Sequence, residues 1–459
     1  MSVDAISKTV LPARVVAMRF RAADVAHTLN ASLSGLHSEW DNVVCDGVSY
    51  DSRTLTPGQM FVAVRGDRDG HEYIADALSR GAPVALVDHR VDVNIPQIVV
   101  HDTIAALGTL ATHSRHHGFP LLHDRVVGIT GSVGKTSMKD LVRSALAAHH
   151  PVVSASFKSL NNDIGLPATI LNAPADTEVL VLEMGMRGFH EIERLCDVAN
   201  PTVGVITKIG HAHTERVGGI EGVVRAKAEL FDSLPADGVS IVNLDDPYAH
   251  DLMRHANCRI RTFGFDASAD VHGHVTAVDS AGRVNMRVRC DGMSADLAVP
   301  VPGVHMATNA LGAVAVSIAL GVPFHTALHG IAEARLSSDR MQWQVTQSGA
   351  RLLNDAYNAN PTSTDAAIRT LAEVPAVRRI AVLGVMAELE DAETHHKHIA
   401  SIATEVGVEV IAVDTLLYGV PACSLQDAIS RLSSLGEDCV ILVKGSRVAG
   451  LERLVHQLT

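Results

Sequence analysis

The stretch Gly128-Ile129-Thr130-Gly131-Ser132-Val133-Gly134-Lys135-Thr136-Ser137 limits what this chain can fold into more than any other. Residues 125–130 form an apolar run that suits a buried strand, and Leu141, Val142, Ala145 and Leu146 then fall at helical spacing. A glycine-rich turn between a strand and a helix presents backbone N–H groups and a helix N-terminus to a polyphosphate. Lys135 adds a positive charge there, and the Thr136 hydroxyl can reach a magnesium ion. Ile129 stands where the general Walker pattern has glycine, so the turn follows the shorter Gly-x-x-Gly-Lys-Thr form. Thr130, Gly131, Ser132, Val133, Gly134, Lys135, Thr136 and Ser137 are therefore the candidate nucleotide-binding residues.

A chain of 459 residues exceeds one ordinary core. At about 150 residues per domain it suggests three, which we place at 1–123, 124–335 and 336–459. The net charge of −13 argues against general nucleic-acid binding, while leaving room for an anionic substrate held by local Lys and Arg. The cysteines are scattered without a Cys-x-x-Cys pair, as expected of reduced thiols in a cytosolic protein. The longest apolar stretch, 310–322, is broken by Gly and Ser and is too short to span a bilayer. A cytoplasmic protein with no membrane insertion is expected.

Along the chain, residues 1 to about 20 have no clear period and read as a poorly ordered arm. A small α/β unit follows, with helices at 22–29 and 71–80 and strands at 43–48, 60–64 and 84–87. Its polar trio Asp51-Ser52-Arg53 is either a solvated turn or a ligand-facing loop. From 124 to about 335 strands and helices alternate around the phosphate turn, the pattern of a doubly wound parallel sheet. Strands are expected at 179–183, 203–207 and 239–243, and helices at 189–197 and 220–233. The third unit is again α/β, with strands at 350–354, 380–383, 408–413 and 439–443. Ligands of open parallel sheets gather at the carboxyl ends of strands, where Glu183 and Lys208 fall, with His211 and His213 just after.

A magnesium nucleotide needs hard ligands beside the turn. Glu183 is the best-placed carboxylate and His213 the second candidate; otherwise Glu183 is a helix-start acid and His213 one of 25 histidines. The pairs His116-His117 and His149-His150 and the run His395-His396-Lys397-His398 read as solvated helix ends. Lys227 reads from composition as a surface lysine. Asn309 opens an apolar helix, either as its N-terminal cap or as an adenine or ribose contact.

Taken in order, Asp51-Ser52-Arg53-Thr54-Leu55-Thr56-Pro57-Gly58, the phosphate turn, Asn161-Asn162-Asp163-Ile164-Gly165, Glu183-Met184-Gly185, Gly210-His211-Ala212-His213 and Asp355-Ala356-Tyr357-Asn358-Ala359-Asn360-Pro361 resemble the Mur ligases. Among these the chain is most similar to the branch that joins D-alanyl-D-alanine to a UDP-N-acetylmuramoyl-tripeptide. The resemblance implies a small α/β N-terminal domain for the UDP substrate, a central ATP-binding domain with a P-loop parallel sheet, and a Rossmann-like C-terminal domain for the amino component. It implies ATP and magnesium as cofactors, with Lys135 on the phosphates, Thr136 and Glu183 on one metal and His213 on a second. Lys227 matches a lysine carbamylated in the family, so Lys135, Lys227 and His213 are its candidate catalytic residues. Asn309, Arg340 and Asp355 match nucleotide contacts, and Asp51, Ser52, Arg53, Asn161, Asn162, Tyr357 and Asn358 are candidate substrate contacts. The UDP-muramoyl peptide and D-alanyl-D-alanine are the expected partners of a monomer. Val385 and Glu390 depart from the branch's usual Leu-Gly-Asp-Met and Glu-Leu-Gly, which leaves open a different amine, and a nucleotide-binding scaffold without ligation is the non-enzyme alternative.

Overall fold

Five consecutive buried residues make up each of the strands Val126–Thr130, Val179–Glu183 and Val239–Asn243 in the computed structural model, which describes residues 17–34, 42–157, 160–211 and 214–459. Strands apolar on both faces belong inside a parallel sheet covered by helices. The sheet runs in space Val153–Ala155, Val179–Glu183, Val126–Thr130, Val203–Ile206, Val239–Asn243, Arg259–Gly264 and Val271–Val278, all parallel. Antiparallel strands Arg283–Cys290 and Met293–Pro302 extend it to nine among the described residues. The phosphate-turn strand lies where the chain order reverses, with earlier crossovers on one side and later ones on the other. That is the switch point at which such sheets bind ligands.

One face of this sheet carries the helices Lys135–Ala147, Val304–Ala319 and Phe324–Ala332, the other Glu191–Ala199 and Ile220–Asp232. The first two helices approach closely because Gly312 has no side chain: a Cβ there would lie 2.4 Å from Met138 Cε. Met138, Leu141, Val142 and Ala145 interlock with Leu311, Val314 and Ala315 in the core that backs the turn.

The C-terminal sheet has the order Gln342–Val345, Arg351–Asn354, Cys439–Lys444, Arg378–Leu383, Glu409–Val413, Ala422–Cys423, antiparallel only at its first pair. Helices Pro361–Glu373 and Ala392–Glu405 cover one face, and Leu425–Leu432 and Glu452–Leu458 the other.

By its contacts the chain divides into two units, 1–121 with 167–177, and 122–166 with 178–459. The first contains a five-stranded sheet in the order Ser32–Ser34, Gln97–Val99, Ala85–Val87, Met60–Val62, Val48–Ser49, parallel except at its first pair. The Asn172 amide serves Val48 as a strand neighbour would, accepting from its N–H at 2.9 Å and donating to its carbonyl at 3.0 Å.

Several expectations change. Of the expected N-terminal arm, residues 1–16 lie outside the described residues, while Arg19–Arg21 pairs antiparallel with Val44–Asp46. Asn309 is not a cap: its helix starts after Gly303, and Asn309 lies in the second turn. His396 is not solvated but fully buried, accepting from Met386 N–H at 2.9 Å, and His150 is buried against Glu178 at 3.1 Å.

Candidate active site

At the end of its strand the phosphate turn passes through Gly131 at φ +149° and Gly134 at φ +82°, left-handed values that favour glycine. A Cβ on Gly134 would lie 3.0 Å from the Asn309 amide, so the helix Val304–Ala319 brings Asn309 against the turn. Lys135, the first residue of its helix, folds back and donates to the Gly131 carbonyl at 2.7 Å. Burial holds its ammonium below the usual lysine range; Glu183 works against the shift and Arg340 adds to it.

Thr136 stands at the centre of a polar relay. Its hydroxyl donates to Glu183 Oε2 at 2.7 Å and accepts from Arg340 Nη2 at 2.9 Å. The other Glu183 oxygen accepts from Asn161 Nδ2 at 2.8 Å, and the Glu183 N–H donates to Ser156 Oγ at 3.0 Å. A carboxylate only 1% exposed is thus held by hydrogen bonds on both oxygens. Glu183 closes its strand and does not start a helix, which begins only at Glu191.

These groups line a cavity of about 1170 Å³ whose opposite wall comes from the C-terminal sheet. There Lys444 Nζ pairs with the Asp355 carboxylate and donates to Asn358 O at 2.9 Å. Asp355 Oδ1 accepts from Met341 N–H at 3.3 Å, and the Arg340 guanidinium lies 4.1 Å from the centroid of the Tyr357 ring. Asn360 caps the helix Pro361–Glu373 through Ser363 N–H at 2.9 Å, and its amide reaches the Ser132 carbonyl at 3.5 Å. Burial pushes the His305 imidazole in the same cavity down to about 4; Asp355 opposes this and Lys444 and Lys208 reinforce it.

Of the residues singled out from the sequence, Ser132 to Ser137, Asn161, Asn162, Glu183 and Lys227 line the cavity on the central side. Asn309, Arg340, Asp355, Tyr357 and Asn358 line it too. Thr130 and Gly131 lie behind that surface, and the buried Thr130 hydroxyl has no hydrogen-bond partner among the described residues. His213 lies outside the described residues. Asp51, Ser52 and Arg53 belong to the first unit, where the Asp51 carboxylate accepts from Arg53 Nε at 2.9 Å and Nη2 at 2.7 Å.

Lys227 departs furthest from composition. It is 1% exposed on the helix Ile220–Asp232, and burial, then the charge of Lys135, push its pKa well below the ordinary lysine value, against Glu229. No carboxylate pairs with it among the described residues. Lys444, His305 and Asn360 were missed as site residues, although Lys444 closes the apolar strand Cys439–Lys444 as Glu183 closes its own. Val385 and Glu390 do not line the cavity; Ala387 and Glu388 from the same loop do.

A phosphate-binding turn facing a loop of amides and paired charges across one cavity is a geometry suited to holding a nucleotide beside a second ligand. Known proteins agree. Residues 45–117 match the Mur ligase family, catalytic domain, residues 129–317 the Mur ligase middle domain, and residues 339–447 the Mur ligase, glutamate ligase domain. The UDP-N-acetylmuramoyl-tripeptide–D-alanyl-D-alanine ligase of Bacillus subtilis is 32% identical over 95% of this chain and 97% of its own length. The Escherichia coli ligase of the same name is 32% identical over 94% and 96%. A crystal structure of MurF from Acinetobacter baumannii superposes with a TM-score of 0.87 at 27% identity, covering 97% of this chain and 99% of that one. With three successive domain matches and full-length relatives above the threshold of chance similarity, the chain belongs to the Mur ligase family.

Proposed function

We propose that this chain is the ATP-dependent ligase that adds D-alanyl-D-alanine to UDP-N-acetylmuramoyl-tripeptide, a step of peptidoglycan precursor synthesis. The observation that carries this reading is near-full-length similarity to ligases of that name, in a chain whose phosphate turn faces the Asp355–Asn360 loop across one cavity. The three domains, 1–123, 124–335 and 336–459, would hold the UDP substrate, ATP and the amino component.

Carboxylate and amine do not condense unaided in water. A terminal carboxylate oxygen of the tripeptide attacks the γ-phosphorus of ATP and ADP leaves; the dipeptide amine then attacks the acyl carbon and expels phosphate. Lys135 and the turn amides offset charge on the phosphoryl group during transfer, a task of positioning and electrostatics. Asn309, Arg340 and Asp355 position the nucleotide, and the remaining candidates, Asp51 to Arg53, Asn161, Asn162, Tyr357 and Asn358, contact the substrates. Closure of the cleft excludes water that would hydrolyse the acyl phosphate.

The paired oxygens of Thr136 and Glu183 fit a hard cation, and we assign magnesium to them, where it would further neutralise the phosphates. His213 and Lys227 are assigned to a second ion. The depressed pKa of Lys227 favours the neutral amine, the form that adds carbon dioxide with loss of a proton to give a carbamate. Incubation with the tripeptide, D-alanyl-D-alanine and ATP is expected to release phosphate only when the dipeptide is present. Absence of dipeptide-dependent release at every magnesium concentration overturns the reading.

A further inference from the structure

The incoming dipeptide carries a carboxylate that takes no part in the reaction and must enter a cavity already crowded with charge. We propose that Arg447 is the residue that binds this carboxylate and so selects an amine component with a free C-terminal acid. The inference rests on the function proposed above and assigns one end of its second substrate.

The cavity wall contributed by residues 336–459 holds four cations, Arg340, Arg369, Lys444 and Arg447. Three are engaged. Arg340 donates to Thr136 at 2.9 Å. Arg369 pairs with Asp365 at 2.6 Å one helical turn away. Lys444 is buried against Asp355. Arg447 is the one of the four whose side chain makes neither a hydrogen bond nor an ion pair among the described residues; its guanidinium lies 5.9 Å from the Tyr357 ring centroid, on which Arg340 also stacks. A guanidinium is a planar fork matched to a carboxylate, and stacking on an aromatic ring leaves its N–H edge available for such a ligand.

The backbone fixes where that fork is presented. Arg447 follows the strand Cys439–Lys444, which pairs in parallel with Arg378–Leu383, Lys444 opposite Leu383. The loops leaving these two carboxyl ends are tied together: Ser446 N–H donates to Val385 O at 2.9 Å, and Ala387 N–H donates to Ser446 Oγ at 2.9 Å. Ser446 Oγ also donates to Ala359 O at 3.1 Å, joining the Asp355–Asn360 loop. Arg447 therefore projects from a three-loop junction at the carboxyl edge of a parallel sheet, where ligands of such sheets bind. The site is built on fixed backbone even though the side chain is exposed.

A phosphate of the nucleotide is the competing ligand for this fork, and the test separates the two. Initial rates of phosphate release are measured for wild type, Arg447→Gln and Arg447→Lys with D-alanyl-D-alanine and with its C-terminal amide, varying each of the three substrates. Wild type is expected to prefer the acid by about 10- to 100-fold in kcat/KM, the range of one charge-assisted contact. Arg447→Gln is expected to lose that factor on the acid while leaving the amide nearly unchanged, so that the preference disappears. Arg447→Lys, which keeps the charge but not the fork, is expected to fall between. Retention of the acid preference in Arg447→Gln, or a loss expressed equally on both dipeptides or in the KM for ATP, overturns the assignment while leaving the proposed function standing. A wild type inactive with both dipeptides overturns the function, and the assignment with it.

Discussion

The two walls of the cavity hold their lysines in opposite ways. On the central wall neither the half-buried Lys135 nor the buried Lys227 has a carboxylate partner of its own among the described residues; Lys135 rests on a backbone carbonyl, and desolvation lowers the pKa of both. On the C-terminal wall Lys444 is as buried as Lys227 but neutralised by Asp355 and anchored to Asn358. A buried cation without an anion is held at a cost to folding and gains when an anionic ligand arrives. A buried pair is already satisfied, so its work is to hold the loop. One wall is poised for a ligand, the other is a support for side chains that reach toward it.

The sharpest way to break this contrast is Lys135→Ala. Turnover is expected to fall about 1000-fold or more, since a preorganised charge at the transferring group is lost, while thermal unfolding in the absence of ligand is not lowered. A melting temperature that drops with activity would make Lys135 a structural cation and erase the difference between the walls. Stability is expected to fall together with turnover at Asp355→Ala, which strands Lys444 as a buried unpaired charge and removes a proposed nucleotide contact. Denaturant titration is expected to report a loss of about 3–5 kcal/mol, most of it recovered by adding Lys444→Met.

Lys227 refines the comparison through pH. A lysine whose pKa is lowered in the folded state takes up a proton on unfolding, so its contribution to stability rises with pH from its folded value to about 10.5. Lys227→Met in bicarbonate-free buffer is expected to melt a few degrees higher than wild type at neutral pH and to flatten that rise, while losing activity. An unchanged slope would mean that another group supplies it. The smallest effect is expected at Asn360→Ala, which removes the helix cap and the reach to Ser132; about 1 kcal/mol of stability is expected to be lost in the same titration.

What could be read in advance followed from how strongly each segment differs from its surroundings. Strands such as Val179–Glu183 are unbroken apolar runs closed by a polar residue, and both strand and ligand candidate follow from that pattern. The antiparallel extension escaped, because Arg283–Cys290 alternates buried apolar residues with Arg283, Arg287 and Arg289 on the open face and so lacks a hydrophobic run. Asn309 was misplaced because the apolar stretch after it is longer than the helical turn before it, while Gly303, at φ +103°, sets the true start. Lys227 carried no local signal at all; a lysine beside Val223 and Leu230 looks like any amphipathic helix residue, and only the resemblance marked it. Its burial depends on a sheet, and part of its lowered pKa on Lys135, which come from other parts of the chain.

The contact between Met138 and Gly312 has a consequence for how such a protein can change. Met138 follows Lys135 and Thr136 on one helix, and Gly312 follows Asn309 on the other, so the spacing of the two helices sets the nucleotide site. A methyl group added at 312 would have to be given back by Met138, whose flexible side chain is the nearest obstacle. Lineages that retain the site are thus expected to treat the two positions as one inherited unit, drifting in size together or not at all.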